Sequence, residues 1–357
     1  TFPSRRANAD PDQNLHGLRS CSGGTPVSRH LAESHPQVLI IAPYQVSQKA
    51  VLITPARFLF NAGFTPKSWN EKMLADPHLR VAHYEADSNR LFPGLADPIK
   101  GGIAVTYRDA ATVIGPIGSY AKHPELATIL SKVEGAGGSP LETIGITSSR
   151  SYRYTSKLYE DHPDALELRP EGNAALINTN AFEQFAFLYS DEEPPTGDHV
   201  ALLGIIKNRR HFRWIRREYV SGPESFTRHK VAVPAANGSG STTDFFGVAL
   251  NNPTVLAPGV GVTQTFLTIG SFEAEPEALA CLKYLKSKFA RTMLGVLKVT
   301  QHNPAATWKH VPNQDFSDDS DIDWSRPIPE IDQQLYAKYA LDADEIAFIE
   351  TKVKPME

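Results

Sequence analysis

Lys49-Ala-Val-Leu-Ile-Thr-Pro55 is a short apolar run closed by a proline. Val38-Leu-Ile-Ile-Ala42 precedes it and Gly101-Gly-Ile-Ala-Val-Thr-Tyr107 follows it. Unbroken apolar runs of this length suit strands covered on both faces, the pattern of an α/β sheet. A helical stretch from Lys67 to Leu74 and a further strand, Leu79-Arg-Val-Ala-His-Tyr84, fall between the second and third runs. The alternation of strand and helix predicts an α/β domain over residues 38–112.

Outward from this block the texture changes. Residues 1–37 are polar and broken by Cys21-Ser-Gly-Gly-Thr-Pro26, which predicts a flexible arm. Residues 113–170 read as a connecting region with one helix, Glu125 to Val133. Residues 171–314 read as a mixed α+β domain, with strands and turns between 230 and 271. One helix, Glu277 to Val299, is expected after them, because Leu279, Leu282, Leu285, Phe289, Leu294 and Leu297 recur at helical spacing. Its other face carries Lys283, Lys286, Lys288, Arg291 and Lys298. Residues 315–357 supply an acidic loop, Asp315 to Asp323, and two short helices.

Composition sets the limits. The 357 residues are 41% hydrophobic, enough for real cores, and 36 Lys+Arg against 40 Asp+Glu give a net charge of −4. A uniformly basic binder is excluded, but a single basic face is not. The two cysteines, Cys21 and Cys281, are too few for a disulfide scaffold or a multi-cysteine zinc site. A reducing, cytoplasmic setting is the natural expectation. No apolar run approaches the ~20 residues that span a bilayer, so no membrane partner is expected. The histidines are scattered, and no metal site is expected.

Charge is concentrated in one place. Lys207, Arg209, Arg210, Arg213, Arg216, Arg217, Arg228 and Lys230 are opposed only by Glu218 and Glu224 within the same stretch. Phe212, Trp214 and Tyr219 lie among them. Arginine forks grip phosphates and aromatic faces stack on bases, so the block is a nucleic-acid candidate. A salt-bridged, solvated surface is the competing reading. The nearby Asn237-Gly238-Ser239-Gly240 turn lets backbone N–H groups approach a phosphate.

Ile41-Ala42-Pro43-Tyr44 ends the first expected strand. In the Asn-Pro-Pro-Tyr motif of adenine amino-methylation, Asn and a proline carbonyl accept from the exocyclic amine and Tyr stacks on the flipped base. Pro43 and Tyr44 keep two of those positions, while Ile41 stands at the Asn position and has no side-chain acceptor.

With these residues in view, the chain resembles the type IIG-like restriction–modification adenine-N6 DNA methyltransferases that carry a fused C-terminal target-recognition domain. The resemblance runs from about Leu39 to the C-terminus. It rests on Ala42-Pro-Tyr-Gln45, Ile53-Thr-Pro-Ala-Arg-Phe-Leu-Phe-Asn-Ala-Gly63, Ile99-Lys-Gly-Gly-Ile-Ala-Val-Thr-Tyr-Arg-Asp109, Ala236-Asn-Gly-Ser-Gly240, Gln264-Thr-Phe266, Tyr284-Leu-Lys-Ser-Lys-Phe-Ala-Arg291, Val299-Thr-Gln301, Trp308-Lys-His-Val-Pro312 and Glu345-Ile-Ala-Phe-Ile-Glu350.

The resemblance implies a partial, Rossmann-like methyltransferase sheet over 38–112, then a mixed α+β target-recognition domain and a short helical tail. It implies S-adenosylmethionine as cofactor and double-stranded DNA as partner. Pro43 and Tyr44 would border the adenine pocket. Lys100, Gly101 and Gly102 would close the sheet near the DNA. Lys207, Arg209, Arg210, Arg213, Arg216, Arg217, Lys230, Asn237, Gly238, Ser239, Arg291, Lys298 and Gln301 would belong to the DNA-reading surface.

The family's cofactor site needs a glycine-rich turn after an early strand, and no such turn precedes Tyr44. The expectation is a methyltransferase fragment that keeps sequence-specific DNA recognition and does not methylate alone. An enzyme completed by a second subunit carrying the cofactor half is the alternative, as is a non-enzymatic DNA-binding module.

Overall fold

β1 (Lys49–Pro55) alternates between half-buried and exposed residues, so one of its faces is open. Val51 and Ile53 are 62% and 57% exposed on that face. The expectation of two covered faces therefore fails at β1. It comes closer at β3 (Ile103–Asp109), where Ile103, Ala104, Thr106 and Asp109 are buried. The computed structural model describes residues 43–62, 65–168, 175–237, 250–298 and 302–356. The expected strand Val38–Ala42 and the expected arm at 1–37 lie outside them.

The chain is mixed α/β with several small sheets, and it divides into two compact units, Thr1–Tyr120 and Ala121–Glu357. In the first unit β2 (Leu79–Glu85) and β1 both pair with β3 antiparallel, in the order β1-β3-β2. β1 and β2 therefore run in the same direction. Helix α1 (Lys67–Ala75) lies between them in sequence and provides the crossover that two co-directional strands of one sheet use. Trp69 and Met73 of α1 are buried, and Trp69 meets Phe58 edge to face at 5.9 Å.

The second unit begins inside the stretch read as a connector. Helix α2 (Pro124–Gly135) buries Leu126, Ile129, Leu130 and Val133 in the same core as the tail helices. The unit's strands are short: β4 (Arg153–Tyr154), β5 (His199–Ile206), β6 (Arg209–Arg216), β7 (Val220–Ser221), β8 (His229–Pro234), β9 (Thr254–Leu256), β10 (Val260–Val262) and β11 (Phe266–Phe272). They form sheets β10-β5-β6, β11-β8-β9 and β4-β7. No described helix is long and apolar enough to cross a membrane.

The single helix expected from Glu277 to Val299 is two. α3 (Glu275–Lys286) stops at Ser287, whose ψ of 149° is extended, and α4 (Lys288–Leu297) restarts beyond it. The Ser287 hydroxyl accepts from the Ala290 N–H at 3.0 Å, which caps the new helix. Asp332, on α5 (Ile328–Lys338), accepts from the N–H groups of Lys288 at 3.1 Å and Phe289 at 2.9 Å. The apolar period runs through the break, and so it hides it. α4 is buried from Phe289 to Val296 and forms the middle of the unit, with α5 and α6 (Ala343–Lys352) packed against it.

Lys230 is fully buried in β8. Its ammonium donates to the carbonyls of Phe226 at 3.3 Å, Arg228 at 2.9 Å and Ala257 at 3.2 Å. Three donors meet three acceptors, and the contact ties β8 to the turns on either side. Lys230→Met keeps the length and removes every donor. It is expected to cost about 2–4 kcal/mol, because three buried carbonyls lose their partner. Urea unfolding measures it, and an unchanged midpoint would contradict the assignment.

Candidate nucleic-acid interface

β5 and β6 form a hairpin whose register runs from His199↔Arg216 to Ile206↔Arg209. Lys207 and Asn208 make the turn with φ of 47° and 62°. Two consecutive left-handed residues give the turn whose twist matches that of the strands, and Asn favours it. The turn places the basic block on β6, an edge strand. Side chains alternate, so Arg209, His211 and Arg213 share one face while Arg210, Phe212 and Trp214 share the other.

The arginines are not equivalent. Arg210 lies 5.2 Å over the Phe266 ring and donates to the Asn251 carbonyl at 2.6 Å. Arg213 pairs with Asp191 at 3.0 Å, and the adjacent Ser190 exchanges two backbone hydrogen bonds with Trp214. Arg216 pairs with Glu218 at 3.5 Å. Arg217 sits 4.8 Å over the Phe226 ring and donates to the Val220 carbonyl at 2.6 Å. Arg228 pairs with Glu273. Lys207 and Arg209 are exposed, and neither side chain has a partner among the described residues. Phe212, on the opposite face of β6 from Arg209, is 47% exposed.

Three further candidates turn inward. Lys230 sits in its carbonyl cage. Arg291 is 2% exposed; its Nε donates to the carbonyls of Lys286 and Ser287 at 3.0 and 3.2 Å, and another nitrogen donates to the Lys354 carbonyl. It thereby satisfies the end of α3 and holds the C-terminal segment. Lys298 is 2% exposed and donates to the His302 carbonyl at 3.3 Å. The basic face read on the long helix is interior at Arg291 and Lys298 and half-buried at Lys283, Lys286 and Lys288. Lys283 likewise donates to the carbonyls of Trp324, Ser325 and Arg326. Lys230, Arg291 and Lys298 are thereby corrected from a DNA-facing surface to internal ties, because each is buried and spends its donors on backbone carbonyls.

Asn237 is buried and accepts from the Asn303 amide. Gly238, Ser239, Gln301 and Ile41 lie outside the described residues. Pro43 opens a single helical turn, and its carbonyl is taken by the Ser47 N–H at 3.1 Å and the Ser47 hydroxyl at 2.6 Å. The Tyr44 hydroxyl bonds Thr106 at 3.3 Å, and Arg108 lies 5.3 Å from its ring centre, itself paired with Asp76 at 2.8 Å. The Pro43 carbonyl is thus taken, and one face of the Tyr44 ring is covered by Arg108.

Gly101 and Gly102 adopt φ of 89° and 79°. A Cβ on Gly101 would meet the Arg57 side chain at 2.8 Å, and one on Gly102 the Glu85 carbonyl at 2.5 Å. The glycines are there for close packing of protein on protein, and S-adenosylmethionine finds no cradle in them. A cavity lined by Tyr154, Thr155, Ser156, Tyr159, Glu160, Leu166 and Ala175 contains none of the residues selected from the sequence. Among the described residues no cluster of three His, Cys, Asp or Glu side chains is placed to hold a metal ion. No protein-family model matches the chain, and no curated protein matches it.

Burial pulls both Lys230 and Lys298 from 10.5 down to about 8. The unfolded chain then holds these protons at pH values where the folded chain has released them. Their contribution to stability is full above 10.5 and lost as pH falls through about 8. The urea midpoint should rise from pH about 8 to about 9.5, and the rise should shrink in Lys230→Met and Lys298→Met. A midpoint that falls across that window in the unaltered protein would contradict the placement.

Proposed function

We propose that this chain serves in DNA target recognition, as the DNA-reading part of a restriction–modification adenine methylation system. The observation that carries the reading is the β5–β6 hairpin, whose turn presents the exposed Lys207 and Arg209 with no side-chain partner among the described residues. Unneutralised cations at a projecting turn seek phosphate and base edges. The partly neutralised Arg213, Arg216 and Arg228 flank the turn and add positive field, since exposed ion pairs are weak and exchange readily.

The first unit is read as part of an open α/β methyltransferase sheet. Two co-directional strands joined through a helix support that reading, and an antiparallel strand between them is compatible with it. Pro43 and Tyr44 are spent on internal contacts and the described residues do not fit S-adenosylmethionine, so no methyl-transfer step is assigned to this chain. Methylation would require a partner carrying the cofactor half, in the cytoplasm where the target DNA lies.

The chain alone should bind duplex DNA with an affinity that falls steeply with salt, because each phosphate contact releases counterions. It should transfer no labelled methyl group from S-adenosylmethionine to adenine. Filter binding across a salt series, paired with a methyl-transfer assay, tests both. Duplex affinity that stays flat with salt would sink the reading, and methylation by the chain alone would overturn its division of labour.

A further inference from the structure

Three aromatic residues lie among the cations of β6 and the turn after it, and the fold treats them differently. Tyr219 is buried; its hydroxyl donates to Asp161 at 3.0 Å and lies 3.3 Å from His162. Phe212 and Trp214 are not absorbed in this way. The apolar core under the hairpin takes Val200, Leu202, Leu203 and Ile215 and includes neither ring. Alternation along β6 puts Phe212 and Trp214 on one face and the fully buried Ile215 on the other. Among the described residues neither ring meets another ring or lies under a cation, and the indole N–H of Trp214 has no acceptor. The neighbouring arginines cover other rings: Arg210 lies over Phe266, Arg216 over Tyr219 and Arg217 over Phe226.

We infer that Phe212 and Trp214 form a stacking platform for two successive unpaired bases of a DNA strand, with Arg216 on the neighbouring phosphate. The inference rests on the DNA-recognition reading above and adds a single-stranded segment to what the chain binds. Two positions along a strand separate the rings by about 6.8 Å on one face, so each ring can receive its own base. Bases inside a duplex have both faces covered by their neighbours. Only an unpaired base has a face to lay on a side chain. Every base has such a face, so the platform holds a strand at any sequence.

Arg216 follows Trp214 by two positions on the same face of β6. Its side chain is 60% exposed and 3.5 Å from Glu218. An exposed pair at that separation is weak, and a phosphate offers the guanidinium a better acceptor.

Two titrations of the full chain test the platform. Anisotropy of a fluorescein-labelled oligothymidylate gives single-strand affinity, and a labelled duplex of mixed sequence gives duplex affinity. Tryptophan emission with unlabelled oligothymidylate reports stacking on Trp214. Trp69 and Trp308 are buried, and the Trp324 N–H is held by Asp315 and Ser320. The unaltered chain should bind the oligothymidylate with quenching of its emission. Phe212→Leu and Trp214→Leu keep apolar bulk and remove the π face. Each should weaken oligothymidylate binding by about five- to hundredfold and leave duplex affinity within about twofold. Trp214→Phe should keep the affinity and lose the quench. Arg216→Gln should lower the salt slope for the single strand by about 0.7. Oligothymidylate bound without quenching, or bound equally well by both leucine variants, would overturn the platform. So would failure of the unaltered chain to bind the oligothymidylate while it binds duplex with salt dependence, and DNA recognition would then stand. If it binds neither, both readings fall together.

Discussion

A cation taken out of water must be given acceptors, and the second unit is organised around that requirement. Lys230 ties a strand to two turns through three carbonyls. Lys283 ties α3 to the segment before α5 in the same way. Arg291 closes the end of α3 and reaches the Lys354 carbonyl. The complementary anion, Asp332, has its pKa raised to about 6 by burial, and accepts the first N–H groups of α4. These contacts join segments far apart in sequence. They explain how short strands, split helices and an acidic tail form one unit.

The same requirement sorts the basic block. Eight cations lie between Lys207 and Lys230. One is interior, five are held by a carbonyl, an acid or an aromatic ring, and two at the hairpin turn have no partner among the described residues. Charge density along the chain is therefore a poor guide to charge presented to a ligand. What the fold leaves uncompensated is a narrow site at the end of a ribbon, in place of a broad basic face. A narrow site of this kind suits reading more than wrapping.

Local patterns made much of the architecture legible. The helix at Lys67–Ala75, the strands at Lys49–Pro55 and Leu79–Glu85, and the two tail helices follow from apolar period and flanking prolines. The break at Ser287 was not legible, because the heptad-like run of Leu and Phe continues across it and the capping carboxylate arrives from Asp332, remote in the chain. The role of Arg291 and Lys298 was hidden for a different reason. Their acceptors are backbone carbonyls, which every sequence has. The hairpin had a signal that composition masks: Asn208, a residue tolerant of left-handed backbone, between an apolar strand and a basic one. Tyr44 keeps the residue type of a base-stacking position, yet Thr106 and Arg108 across the sheet absorb it.

Partition of the cations between interior ties and the hairpin turn is the claim on which the functional reading depends. Reductive methylation followed by peptide mass spectrometry measures it directly, residue by residue. With pKa values lowered to about 8, Lys230 and Lys298 would be the more reactive amines if solvent reached them, so protection there reports burial alone. The account predicts that Lys207 is modified rapidly and is shielded by added duplex DNA. Lys230 and Lys298 should resist until denaturant unfolds the chain. Modification of Lys230 or Lys298 at the rate of Lys207 in the folded protein would contradict it.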